Sequence, residues 1–100
     1  MRKANIFFSD KLAGVLVEDD GYYFEYDPNY KGQPISLTMP LEDKNFHSNV
    51  LFPFFDGLIP EGKLLELGSK AYNISPLDRM GLLLALCHDS IGAVSVIEIK

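Results

Sequence analysis

Hydrophobic and polar residues alternate through the first forty positions and then change period, dividing the chain into a strand-forming half and a helix-forming half. Residues 3–8 and 12–18 are rich in Ile, Phe, Val and Leu. The intervening Ser9-Asp10-Lys11 predicts that they are two strands joined by a tight turn. Asp19-Asp20-Gly21 predicts a second hairpin turn, with Gly21 able to take a positive φ. In the strand expected over 22–26, Tyr22, Phe24 and Tyr26 share one face, and Tyr23 and Glu25 share the other. A turn at Asp27-Pro28-Asn29 follows, and apolar and hydroxyl residues alternate over 35–39 as in a half-buried fourth strand. Together these segments predict an antiparallel meander.

Beyond Pro40, residues 45–55 predict a turn or short helix, kept short by the breakers Pro53 and Gly57. Over 61–72, Leu64, Leu65, Leu67 and Ala71 recur at helical spacing. Ser75-Pro76-Leu77-Asp78 is a helix start, because Ser75 can cap, Pro76 suits the first helical position and Asp78 complements the dipole. The helix is expected to run to about His88. Its main stripe is Leu77, Met80, Leu83, Leu84 and Cys87, widened by Leu82 and Leu86 into a buried spine. Between helix and last strand, Asp89 and Ser90 are expected to hydrogen-bond the backbone of a turn for which Gly92 supplies freedom. Residues 93–99 then read as a final strand in the meander sheet. The expected fold is α+β: a small antiparallel sheet, made of the N-terminal meander plus the C-terminal strand, packed against two or three helices in one domain over residues 1–100.

Composition narrows the function. A content of 47% hydrophobic and 23% charged residues is that of a globular chain. The net charge is −5 and the nine Lys and Arg are scattered, which argues against direct nucleic-acid binding. No signal peptide opens the chain and no apolar run is long enough for a bilayer, so no membrane association is expected. Cys87 is the only cysteine, which fits a reducing cytoplasm.

The residues also argue against an enzyme, a metal centre or a bound cofactor. His47 and His88 are far apart and no CxxC or HxxxH spacing accompanies them. His88, Asp89 and Ser90 adjoin in sequence, which is not how a nucleophile and its base converge in space. Neither Gly57 nor Gly62 begins a phosphate loop.

The segment Leu51-Phe52-Pro53-Phe54-Phe55-Asp56-Gly57-Leu58-Ile59-Pro60-Glu61-Gly62-Lys63 is the distinctive one. Three phenylalanines, two prolines and two glycines in thirteen positions predict an irregular, aromatic-anchored connection. Burying all three rings together with Leu58 and Ile59 is demanding for a loop in a small domain. Part of this apolar surface is therefore expected to stay exposed as a partner site formed by Phe55, Asp56, Leu58, Ile59, Pro60, Glu61 and Lys63.

Together with Gln33-Pro34-Ile35-Ser36-Leu37-Thr38-Met39-Pro40-Leu41 and Asp89-Ser90-Ile91-Gly92-Ala93-Val94, this segment resembles the N-terminal subdomain of HipA-type serine/threonine kinase toxins. The resemblance runs from Ala4 to Ile97, with the three blocks in the family's order. In that family a kinase body follows the third block, whereas this sequence ends at Lys100. The resemblance therefore extends to the stand-alone HipS antitoxins of three-component HipBST toxin–antitoxin systems. It implies an inhibitor of a HipT-like kinase toxin, with aminoacyl-tRNA synthetases as the family's kinase targets. A HipB-like DNA-binding protein is a possible further member of the complex. The alternative it leaves is a structural subunit that completes the kinase or bridges it to that helix-turn-helix partner. One departure stands out: family members often carry a tryptophan directly after Pro-Glu-Gly, where this chain has Lys63. Either Lys63 reaches out as a long cationic arm, or Phe55, Leu58 and Ile59 carry the contact.

Overall fold

A computed structural model of the chain describes residues 1–88 and 93–100. The meander is present as β1 (Arg2–Phe8), β2 (Lys11–Glu18) and β3 (Tyr22–Tyr26), paired antiparallel in sequence order. Ser9 and Asp10 both take positive φ, 49° and 67°, which is the twist a two-residue hairpin turn requires. Gly21, at φ 127°, completes the second turn as its residue type predicted. A bulge between Ile6 and Phe7 leaves Ala13 as an extra, fully buried residue on β2.

Two more strands, β4 (Asn45–Ser48) on β3 and β5 (Val94–Ile99) on β1, give the sheet order β4-β3-β2-β1-β5. One face carries the buried residues Ala4, Ile6, Leu16, Phe24, Tyr26, Val94 and Val96. On that side lie α1 (Pro53–Asp56) and α3 (Arg79–Leu86), with α2 (Gly62–Tyr72) resting on α3, so the α+β architecture and the place of the last strand are as the sequence predicts.

The fourth strand is elsewhere than expected. Ile35 and Met39 are buried while Leu37 is fully exposed, but a turn produces that alternation: the Met39 amide donates to the Ser36 carbonyl at 3.1 Å, leaving Leu37 at the tip. Ile35 gives its amide to Tyr26 Oη at 3.1 Å, and Tyr26 Oη in turn donates to the Met39 carbonyl. The whole 27–44 connection is organised on Tyr26 and on Tyr30, whose ring stacks on it at 6.0 Å. It delivers the chain to β4, which holds its place by pairing with β3 and by Phe46 facing Phe24 and Tyr26.

The spine helix is shorter than its apolar stripe suggests. Ser75 turns the chain by accepting from the Leu77 amide at 3.1 Å, and Asp78 caps α3 by accepting from Gly81 at 3.1 Å. Leu77 consequently lies outside the helix and is 89% exposed, whereas Met80, Leu82 and Leu83 are fully buried and Leu84 and Leu86 half-buried. The expected roles of Asp89, Ser90 and Gly92 lie outside the described residues.

Arg2 locks this arrangement from the far end of the chain. Its guanidinium donates to Glu18 at 2.6 and 2.9 Å and to Asp78 at 2.8 and 3.1 Å, joining β1, β2 and the α3 cap. Gly81 is required beneath it, because a Cβ there would meet the Asp78 carboxylate and come within 3.2 Å of Arg2 Nη1. The Arg2 hydrogen bonds hold both carboxyls below their ordinary values of 4.5 for Glu18 and 3.8 for Asp78. Groups with depressed folded-state pKa values stabilise above the unfolded-state pKa and lose that contribution as pH falls through the folded one. The cluster is about one-third exposed, so solvent screens it and its share is modest. The melting-temperature gap between wild type and Arg2→Ala is expected to narrow steadily from about pH 6 to about pH 3. A gap independent of pH would show that Arg2 acts through packing alone.

Candidate partner-binding site

The aromatic segment folds as a plug. Pro53 begins α1 at the position where its missing N–H costs nothing, and this single turn points Phe55 into the core at 0% exposure. Phe52 and Phe54 meet it edge-on at 6.2 and 5.2 Å, and Phe24 approaches from the sheet at 5.7 Å. Phe52 is buried and Phe54 half-buried, so the segment buries its rings more completely than the sequence suggests.

Of the expected contact residues, Phe55 and Ile59 are therefore core side chains, with Ile59 only 2% exposed. Neither presents surface to a partner in this conformation. The α1 turn aims Phe55 inward. Leu58 and Pro60 are half-buried, and the Leu58 carbonyl accepts from Cys87 Sγ at 3.5 Å. Burial pushes the Cys87 thiol up to about 11, so it stays protonated at neutral pH. Asp56 is engaged within the domain, accepting from Arg79 Nε at 2.6 Å and tying α1 to α3. Glu61 and Lys63 are exposed.

Those two residues open α2, and α2 is unusual. Gly62 has φ 62°, a left-handed conformation suited to glycine, and a Cβ there would meet nothing within 4 Å. Glu61 precedes the helix without a side-chain cap, no acid occupies the first turn, and Lys63 places a cation at the positive end of the dipole. None of the eleven residues of α2 is buried. The helix rests on α3 at Gly68, with Leu86 lying where a Gly68 Cβ would sit, 2.9 Å away, and Leu65 packs half-buried against the core. Leu64 and Leu67 are 67% and 60% exposed, and with Ala71 they form a stripe at i, i+3 and i+7 flanked by Lys63. Of the four apolar positions at helical spacing, Leu64, Leu65, Leu67 and Ala71, only Leu65 packs against the core.

The family model described as the HipA N-terminal domain matches residues 4–97. The chain belongs to that family. A solved structure of the N-terminal domain of HipA toxin is similar at a TM-score of 0.79 and 32% identity, covering 100% of this chain and 94% of that one. An uncharacterized protein of Haemophilus influenzae (strain ATCC 51907 / DSM 11121 / KW20 / Rd) is 38% identical over 101 residues, covering 100% of this chain and 95% of the relative. That relative is of about the same length as this chain. Among the described residues of this HipA N-terminal domain, no group of three or more His, Cys, Asp or Glu could hold a metal ion, and no helix is long and apolar enough to cross a membrane.

Proposed function

We propose that this HipA N-terminal domain is an antitoxin that binds a separately encoded HipT-like kinase toxin and inhibits it. The observation that carries the reading is α2, an eleven-residue helix with no buried residue that presents Leu64, Leu67 and Lys63 outward. Leucines left exposed together on one helix face are what a partner interface uses. Membership of the HipA N-terminal domain family supports a toxin–antitoxin context, and the relative of similar length supports a domain that works as its own chain. The net charge of −5 favours encounter with a basic surface, such as a cleft that binds nucleotide phosphates. Inhibition follows either by occluding that cleft or by holding the kinase in an unproductive arrangement.

The test is phosphorylation of a protein substrate by a HipT-like kinase, with and without this protein. Phosphorylation is expected to fall in proportion to complex formed. A complex with undiminished activity would make the domain a scaffold that completes the kinase or bridges it to a DNA-binding partner.

A further inference from the structure

The two edges of the sheet differ. At the β5 edge, the Val96 amide donates away from β1 to the Cys87 carbonyl at 3.0 Å, so Cys87 occupies that side. Among the described residues, the β4 edge has no such cover. The bond from the Tyr26 amide to the Lys44 carbonyl, 3.0 Å, fixes the phase of the β3–β4 ladder. Residues 44, 46 and 48 therefore face β3 with their backbone groups, and Asn45 and His47 turn theirs outward. Among the described residues, no other segment hydrogen-bonds to the backbone of those two.

Beside this edge lies a cleft of about 340 Å³ between the 36–39 turn, β4 and α1. Met39, Phe46, Phe52 and Phe54 make its apolar lining, with Thr38 and Ser48 at polar positions. In an antiparallel pair, residues directly opposite each other point to the same face and come closest where they are not hydrogen-bonded. A residue opposite Phe46 would meet both conditions and enter the cleft.

We propose that the β4 edge is a docking site for an extended segment of another protein, which adds as a sixth, antiparallel strand. The residue opposite Phe46 is aromatic or large and aliphatic and fills the cleft. The segment is basic at the end that passes Glu42 and Asp43, because these exposed acids and Glu25, opposite Asn45, outnumber Lys44, the one cation among the described residues at the start of β4. Main-chain bonds to Asn45 and His47 give the affinity, and the cleft and the acids give the choice of segment. The site is separate from the α2 face and stands whether or not that face binds a kinase.

The probe is a fluorescent octapeptide with one central phenylalanine, flanking valines and lysines at the end passing Glu42 and Asp43, titrated by polarisation. N-methylation of the two residues flanking the phenylalanine removes the donors aimed at His47 and Asn45 and is expected to weaken binding at least about tenfold. N-methylation of the phenylalanine itself, whose N–H faces solvent, is expected to be tolerated. Replacing the lysines by glutamates, or filling the cleft with Thr38→Trp at an exposed position, is expected to cause a similar loss. Binding that ignores which amide is methylated would overturn the added strand, and binding that ignores the lysines would overturn the basic partner. Self-association of the free protein, blocked by Thr38→Trp, would assign the edge to a second copy instead and overturn the proposal.

Discussion

Phe55→Ala is expected to destabilise the domain by about 3–5 kcal/mol, the cost of truncating a large buried aromatic side chain. The ring is fully buried and touches Phe24 of the sheet as well as Phe52 and Phe54 beside it. Its removal leaves a cavity bounded by the sheet and by α1, a single turn of helix otherwise tied to α3 by the Asp56–Arg79 pair. Urea denaturation followed by far-ultraviolet circular dichroism measures the effect. A loss below about 1 kcal/mol would mean that the aromatic plug is a surface feature after all. The size of this effect on a small domain's marginal stability also means that lost kinase binding by Phe55→Ala reports unfolding, not contact.

What the sequence made legible follows its local chemistry. The first three strands alternate cleanly, and the turns between them hold Ser9, Asp10, Asp20 and Gly21, residue types that tolerate the positive φ found there. Strand β4 has Phe46 as its single apolar residue, so no periodicity announces it, and it exists because the connection built on Tyr26 and Tyr30 brings it to β3. The 35–39 alternation is real burial produced by a turn, and a pattern of buried and exposed positions does not distinguish the two. Ser75 and Asp78 are both capping residues three positions apart. Only the fold decides that Ser75 shapes a turn and Asp78, held by Arg2, starts the helix.

The candidate site was half legible for a related reason. The segment 51–63 was singled out for its aromatics, which turned inward, while the exposed leucines follow it on α2. Where α2 approaches α3, Leu86 lies against Gly68, and a glycine carries no hydrophobic signal. A reading that counts leucines therefore places Leu64 and Leu67 in the contact, and the close approach over Gly68 is what turns them out.

Lys63→Glu and Leu67→Asp are each expected to weaken kinase binding by about 1–3 kcal/mol while leaving the free domain folded. Leu67 is 60% exposed, and an exposed substitution away from a cap or core typically changes stability by about 0.5 kcal/mol or less. Lys63→Glu has a further signature. It replaces a cation with an anion in the first turn of α2, so the free domain is expected to gain about 0.3–1 kcal/mol even as binding is lost. Opposite signs for stability and affinity separate an interface residue from a structural one. Leu58→Asp offers no such separation, because Leu58 is half-buried against the core. Leu77→Asp is the control, a still more exposed leucine outside α2. Residues 63 and 67 are neighbours at i and i+4, so the double variant is not expected to add simply. Calorimetric titration of the kinase with each variant, alongside thermal melts of the free protein, reads both quantities. A stable double variant that still binds and inhibits the kinase at wild-type concentrations would remove α2 from the interface.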